Sequence, residues 1–165
     1  MKTLLYVDDS PDDQLLFQRS CESVGVSFEL KLVNSGTEAI RYLSGEMELG
    51  DRTRHPLPDL IFLDLKMPEM DGFQVLRWIR ANPATRSIPV ALYTGSFIAE
   101  DIVKGYAEGA NHFISKPSRI STLIEIVRAA SECLAVDPTN NQALARFSTP
   151  GESGPASLGA HRGEE

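Results

Sequence analysis

Pro58-Asp59-Leu60-Ile61-Phe62-Leu63-Asp64-Leu65-Lys66-Met67-Pro68-Glu69-Met70-Asp71-Gly72 is the stretch from which the rest of the chain is read. Leu60 to Leu63 are apolar without alternation, which fits a short strand buried on both faces. The strand ends on a carboxylate, Asp64, and two turn signals follow, Met67-Pro68 and Asp71-Gly72. In open α/β sheets, ligands bind where strand carboxyl ends meet their loops. A lone aspartate after a strand is ordinarily a turn cap, because its side chain bonds nearby backbone amides. The other strand ends decide between these two readings.

Outward from this strand, apolar runs alternate with helical patterns. Thr3 to Val7 is a strand that stops at Asp8-Asp9. Ser10-Pro11-Asp12-Asp13 opens a helix, with Ser10 as N-cap, proline at the first helical position and acids in the first turn. That helix runs to about Val24, with Phe17, Cys21 and Val24 on one face, Leu15 opposite, and Gly25 as its stop. Phe28 to Val33 alternates as a half-buried strand near the sheet edge, and Thr37 to Leu43 is a short helix with Ala39, Ile40 and Leu43 inward. Ser44 to Pro58 is long for a connection within a compact unit. Gly72 to Ala81 is a helix, Ile88 to Tyr93 a strand ending at Thr94-Gly95, and Ala99 to Glu108 a helix. The face of that helix is expected to carry Ala99, Ile102, Val103, Tyr106 and Ala107. Asn111 to Ser115 is a fifth strand before Lys116-Pro117. The last helix, capped by Ser118 or Ser121, carries a core stripe of Ile120, Leu123, Ile124, Val127 and Leu134 and ends near Val136. Five strands alternating with five helices imply a doubly wound parallel sheet with right-handed crossovers.

Composition narrows the function. The chain has 165 residues and a net charge of -7, so a grip on nucleic acid through phosphate contacts is not expected. Cys21 and Cys133 stand apart without metal spacing, which fits a reducing compartment. With no signal peptide and no apolar run long enough to span a bilayer, a cytoplasmic protein is expected. Residues 137–165 are rich in Pro, Gly, Ser, Asn and Ala and are expected to be a disordered tail after a domain of residues 1–136.

In a parallel sheet the strand carboxyl ends share one edge, which would bring together Asp8, Asp9, Asp64, Thr94 and Lys116. Crowded carboxylates raise one another's pKa unless a cation joins them. Two or three aspartates with a backbone carbonyl are the hard oxygen ligands that Mg2+ prefers. A carboxylate beside Mg2+ and a lysine is a phosphoryl acceptor in the making: metal and ammonium neutralise charge on the transferring group, and the hydroxyl donates to it. Each member alone is a cap, a turn or a surface cation; their convergence at successive strand ends carries the reading.

On these motifs, Asp8-Asp9, the run Leu63 to Gly72, Thr94-Gly95 and Lys116-Pro117, the chain resembles the receiver domain of two-component response regulators over about residues 2–136. The resemblance implies a five-stranded flavodoxin-like sheet in the order 2-1-3-4-5 with helices on both faces. It implies that Asp64 is the phosphoacceptor, that Asp9 binds Mg2+ directly, that Asp8 does so through water or more weakly, and that the Lys66 backbone carbonyl completes the protein ligands. Thr94 would bind the phosphoryl oxygens and Lys116 would pair with them, across a Lys116–Pro117 bond that is usually cis in the family. Phe113 matches the family's switch aromatic, which turns inward as the Thr94 hydroxyl moves.

The long 44–58 segment, the run Tyr106 to Ile114 and the lack of a visible output domain make the chain resemble stand-alone receivers served by phytochrome-type histidine kinases. That subgroup tends to form homodimers through the last helices and fifth strand, and Ile126, Ala130 and Cys133 offer a second apolar line for such a contact. Widening of the core face is an equal account of the same line. Lys66, two residues past Asp64, could shield an acyl phosphate from water and slow its hydrolysis. The expected role is a signalling module, not an enzyme, that accepts a phosphoryl group from a sensor histidine kinase and switches protein contacts. A phosphorelay intermediate or phosphate sink is the alternative within that class. A small Mg2+-dependent phosphatase working through an aspartyl phosphate is a more distant one, because its second acid would fall at Lys66.

Overall fold

The computed structural model describes residues 1–137 and 142–151. Its strands are β1 (Thr3–Val7), β2 (Glu29–Val33), β3 (Leu60–Leu63), β4 (Val90–Thr94) and β5 (His112–Ser115), all parallel, in the order β2-β1-β3-β4-β5. This is the order that the resemblance implies. The helices are α1 (Pro11–Val24), α2 (Gly36–Ser44), α3 (Gly72–Ala81), α4 (Ala99–Ala107), α5 (Ile120–Val136) and a short α6 (Gln142–Ala145).

Strand alternation sorts the core into two layers. Leu4, Tyr6, Leu60, Phe62, Ala91, Tyr93 and Ile114 pack with α1, α5 and α6. Leu5, Val7, Ile61, Leu63, Val90, Leu92 and Phe113 pack with α2, α3 and α4. Both faces are covered, so β1, β3 and β4 are buried at every residue and read as continuous apolar runs. The edge strand β2 is exposed or half-buried throughout, as its alternation predicts. Tyr6, Phe17, Phe62 and Tyr93 interlock on the first face, with Tyr6 and Phe17 ring centroids 4.8 Å apart.

The helix ends follow local rules. The Ser10 hydroxyl accepts from the Asp13 amide (3.3 Å), and Gly25 stops α1 in the left-handed region at φ 69. Asp71 and Gln74 close a capping box at the start of α3. The segment between α2 and β3 contains a 3-10 turn at Met47–Gly50. Arg52 pins this segment by donating to the carbonyls of Tyr42 (2.9 Å), Leu43 (2.8 Å) and His55 (3.2 Å).

Several helix faces differ from expectation. In α2, Tyr42 is buried and Ile40 is only half-buried. In α5, Ile120 is exposed and Ile124 half-buried, while Ile126, Ala130 and Cys133 are buried within the one chain. Those three residues widen the core face and are not a free line for a second copy. Neither serine caps α5, which starts after Arg119 with no side-chain cap. In α4, Val103 and Ala107 are exposed, and the only fully buried residue is Gly105. A glycine there lets the helix lie close on β4 and β5, because a Cβ at Gly105 would come within 2.6 Å of Leu92 Cδ1.

Residues 142–151, within the segment expected to be disordered, are also packed. Leu144 is buried against the α5 layer and Ser148 bridges antiparallel to Ile114 of β5. A hydrophobic residue at 144 and a β-edge in need of partners supply the order that composition hides. Residues 138–141 and 152–165 of the expected tail lie outside the described residues.

Gly105→Val is expected to lower stability by about 2 kcal/mol through overpacking, whereas Val103→Ala stays within about 0.5 kcal/mol. Urea unfolding of the two variants checks which face of α4 is packed.

Candidate functional site

The site is built at the carboxyl edge of the sheet. β1 runs into Asp8 and Asp9, β3 into Asp64, β4 ends on Thr94, and β5 leads to Lys116. Each side chain is delivered by a strand end fixed in register, since Val7 pairs with Leu63 and Thr94 with Ser115. Asp8, Asp9 and Asp64 each bring one carboxylate oxygen within 4.8 Å of the other two. Asp8 and Asp64 are buried and Asp9 is exposed, so the cluster opens to solvent on the Asp9 side.

The Lys116 ammonium lies inside this cluster, 2.7 Å from Asp8 Oδ2, 2.8 Å from Asp13 Oδ2 and 3.2 Å from Asp64 Oδ2. Asp8 is further held by the Ser10 amide (2.9 Å) and by the Tyr6 hydroxyl, which donates to Oδ2. Gln14 reaches from α1 to donate to the carbonyls of Asp8 (2.8 Å) and Val33 (2.9 Å), tying the β1 and β2 ends together. Burial and the Asp8 charge push the Asp64 carboxyl above the ordinary carboxylate range, against the lowering effect of Lys116 and Thr94. Burial alone would lower the Lys116 ammonium, but Asp13, Asp8 and Asp64 outweigh it and hold it raised and charged. Burial and the Asp8 charge also push the Tyr6 hydroxyl far above its usual value, so it remains a donor.

The loop after β3 is shaped around Asp64. Its Oδ1 accepts a long bond from the Lys66 amide (3.4 Å). Glu69 sits at φ 66, the only residue other than glycine in the left-handed region among those described, inside a turn closed by Met70 N–H to the Pro68 carbonyl (2.8 Å). Gly72 lies so close to the strand end that a Cβ there would stand 2.3 Å from the Asp64 carbonyl oxygen. The Asp-Gly pair that reads as a turn is therefore also a close approach of two backbones.

Thr94 is buried, and its hydroxyl donates to the Ser96 carbonyl (3.3 Å). Phe113 is fully buried, with its ring edge-on to Phe97 at 5.1 Å, so the ring occupies the inward position. The Lys66 ammonium pairs with Asp101 on α4 (3.4 Å) and not with Asp64, which places it away from the shielding position expected of it. No cis peptide bond occurs among the described residues, so the Lys116–Pro117 bond is trans, the form that an X–Pro bond itself prefers by about 0.5–1 kcal/mol.

Asp13, Tyr6 and Gln14 are the site residues that sequence reading missed. Asp13 reads as a first-turn helix acid and Tyr6 as part of an apolar strand, and both also fulfil that local role, whereas Gln14 is a polar residue that the fold buries. The faint signal for Asp13 is its position one turn along a helix whose N-terminus faces the site.

The comparisons with known proteins point the same way. The model of the response regulator receiver domain matches residues 4–128. Response regulator Rcp1 of Synechocystis sp. is 32% identical over 127 residues, covering 77% of this chain and 84% of that protein. The crystal structure of the phosphorylated cyanobacterial phytochrome response regulator RcpA superposes with a TM-score of 0.74 at 33% identity, over 82% of this chain and 94% of that one. The Mn(2+)-bound form of Rcp1 superposes at 0.71 and 30% identity, over 83% and 96%. The chain belongs to the response regulator receiver domain family. Among the described residues, no helix is long and apolar enough to cross a membrane.

Because Asp64 has a raised native pKa, its ionised form costs stability: its contribution is present below the unfolded value, near pH 3.9, and is lost as pH rises through the native value. Asp64→Asn is therefore expected to raise the Tm of the metal-free protein at pH 7. The gain should shrink as pH falls toward 4, with Lys116 retaining Asp8 and Asp13 as partners. Calorimetry across that range in the presence of chelator checks the sign.

Proposed function

We propose that Asp64 accepts a phosphoryl group from the phosphohistidine of a sensor histidine kinase, and that the resulting acyl phosphate switches a protein contact. The observation that supports this most is the placing of Asp64 within 4.8 Å of two further carboxylates and 3.2 Å from the half-buried Lys116 ammonium. An Asp64 oxygen attacks phosphorus, the P–N bond breaks, and its electron pair returns to the imidazole ring. Lys116 has to exchange carboxylate partners for a phosphoryl oxygen. Thr94 has to turn its hydroxyl from Ser96 toward another. Charge that builds on the transferring group meets a fixed ammonium, with no reorganisation of solvent.

The donor set fits a small divalent cation. Asp8, Asp9 and Asp64 supply hard oxygen ligands on an open side of the cluster, and the Lys66 carbonyl, in the loop beside Asp64, would complete the protein ligands of Mg2+. Bound there, the ion would screen the carboxylates from the incoming phosphoryl oxygens.

The kinase is of phytochrome type in this reading, supported by the likeness to Rcp1 and RcpA. Its docking surface is the pair of helices flanking the site. Leu15 and Leu16 of α1 and Ile120 of α5 are exposed there, beyond Asp13 and Lys116. A homodimer through the last helices and fifth strand belongs to the same reading. Its contact would draw on the exposed Ile98 and Val103 around α4, since one chain buries Ile126, Ala130 and Cys133.

Phosphotransfer from acetyl phosphate or from candidate kinases should label the wild type in the presence of Mg2+ and leave Asp64→Asn unlabelled. Undiminished labelling of that variant would overturn the assignment. Mg2+ at one hundred times its Kd should stabilise the wild type by about 2.7 kcal/mol, and Asp9→Ala should lose most of this gain in a thermal melt.

A further inference from the structure

Residues 142–151 are not needed to complete the five-stranded sheet or the phosphoacceptor site, yet they are held at three levels. Leu144 is fully buried against the α5 layer, where the amides of Ala143 and Leu144 face the Cys133 sulfur. Ser148 pairs antiparallel with Ile114 on the outer edge of β5. The Thr149 amide donates to the Phe113 carbonyl (2.7 Å), and the Phe113 amide donates to Ser148 Oγ (3.2 Å). From α4, the Tyr106 hydroxyl bonds Ser148 Oγ (2.8 Å) and donates to the Thr149 carbonyl, while Gly151 lies against the Tyr106 ring. Both backbone groups of Phe113 that face outward are thus satisfied by this segment. An uncovered edge would present them to any extended chain.

We propose that the outer edge of β5, together with Tyr106, is a strand-addition surface that this chain fills with its own residues 142–151, and that phosphoryl acceptance at Asp64 loosens that segment. The second half rests on the assignment of Asp64 as phosphoacceptor. The coupling is short. When the Thr94 hydroxyl leaves Ser96, the loop carrying Phe97 loses that tether, and the Phe97 ring packs edge-on against Phe113. Asp101 ties the start of α4 to the Asp64 loop through Lys66 (3.4 Å) and caps the helix through the Ile98 amide (2.9 Å). Movement at either place is transmitted to Phe113 or Tyr106, the two residues that hold Ser148 and Thr149. By linkage, whatever weakens the segment in the phosphorylated state also favours phosphorylation when the segment is released.

Deuterium exchange of the full chain, read by mass on peptides spanning residues 143–149 and 112–115, tests both halves. In the unmodified protein these peptides should be protected to a degree independent of protein concentration. Tyr106→Phe keeps the ring and removes two hydrogen bonds, and should speed exchange of both peptides about tenfold with β1 unchanged. Leu144→Ser should do the same through the buried anchor. After treatment with acetyl phosphate and Mg2+, exchange should rise by at least about fivefold in molecules that carry the mass increment of one phosphoryl group. Unprotected peptides in the wild type, or protection that grows with concentration as a second copy's segment would give, overturn the surface in cis. So does unchanged exchange in both variants. A phosphoryl increment with unchanged protection overturns the coupling alone, and absence of the increment overturns the assignment of Asp64 on which it rests.

Discussion

The Lys116 ammonium stands among Asp8, Asp13 and Asp64 at 2.7, 2.8 and 3.2 Å, and the geometry of the whole strand edge has to preserve that balance of charge. Asp8 is fully buried and Asp64 nearly so. Two carboxylates in such a place repel each other and forgo hydration, and the burial of ions is weak evidence for stability. What the arrangement provides is a carboxylate that is hard to ionise without a cation and a cation already in position. A phosphoryl group carries in negative charge, so it needs that cation together with any metal the aspartates hold.

On the β1 side, the rest of the site keeps these charges where they are. Tyr6 is anchored among Phe17 and Tyr93, so its hydroxyl meets Asp8 from a fixed direction. Gln14 clamps the ends of β1 and β2. The tight approach of Gly72 to the Asp64 carbonyl fixes the loop that follows Asp64. The aromatic layer, the helix start and the glycine are local structures with ordinary reasons, and together they remove the freedom of the strand ends.

The opposite side of the site is built differently. Thr94, Phe97 and Phe113 form a chain of contacts leading away from Asp64 toward α4 and the outer edge of β5. Arg80 closes the far end of this unit, donating to the carbonyls of Gly109 (2.9 Å) and Ile88 (2.8 Å) and to the Asn111 side chain (2.9 Å). α4 itself presents few buried side chains and lies against the sheet through Gly105. A helix held by few apolar contacts is the element most easily displaced. It also carries Asp101 and Tyr106, which link it to the loop after Asp64 and to residues 148–149.

Local chemistry made much of this legible from the chain alone. Continuous apolar runs marked the buried strands, Ser10 and Gly25 marked the ends of α1, and the strand-terminal Asp8, Asp9, Asp64, Thr94 and Lys116 marked the edge, because each depends only on near neighbours. The doubly wound parallel class then followed from handedness and alternation, while the strand order came from the family resemblance. Helix faces were read less well. α4 packs through a glycine that no apolar stripe announces, and the α5 stripe is rotated toward Ile126 and Cys133. Asp13 joined the site only because α1 aims its first turn at Lys116, a residue 103 positions away. Residues 142–151 looked like tail because composition counts apolar side chains, whereas their place is set by one buried leucine and by the unpaired edge of β5. The sequence by itself thus determined which groups lie at the strand ends. Only the tertiary structure decided which of them share a charge and which surfaces remain open, since both depend on distances between residues far apart in the chain.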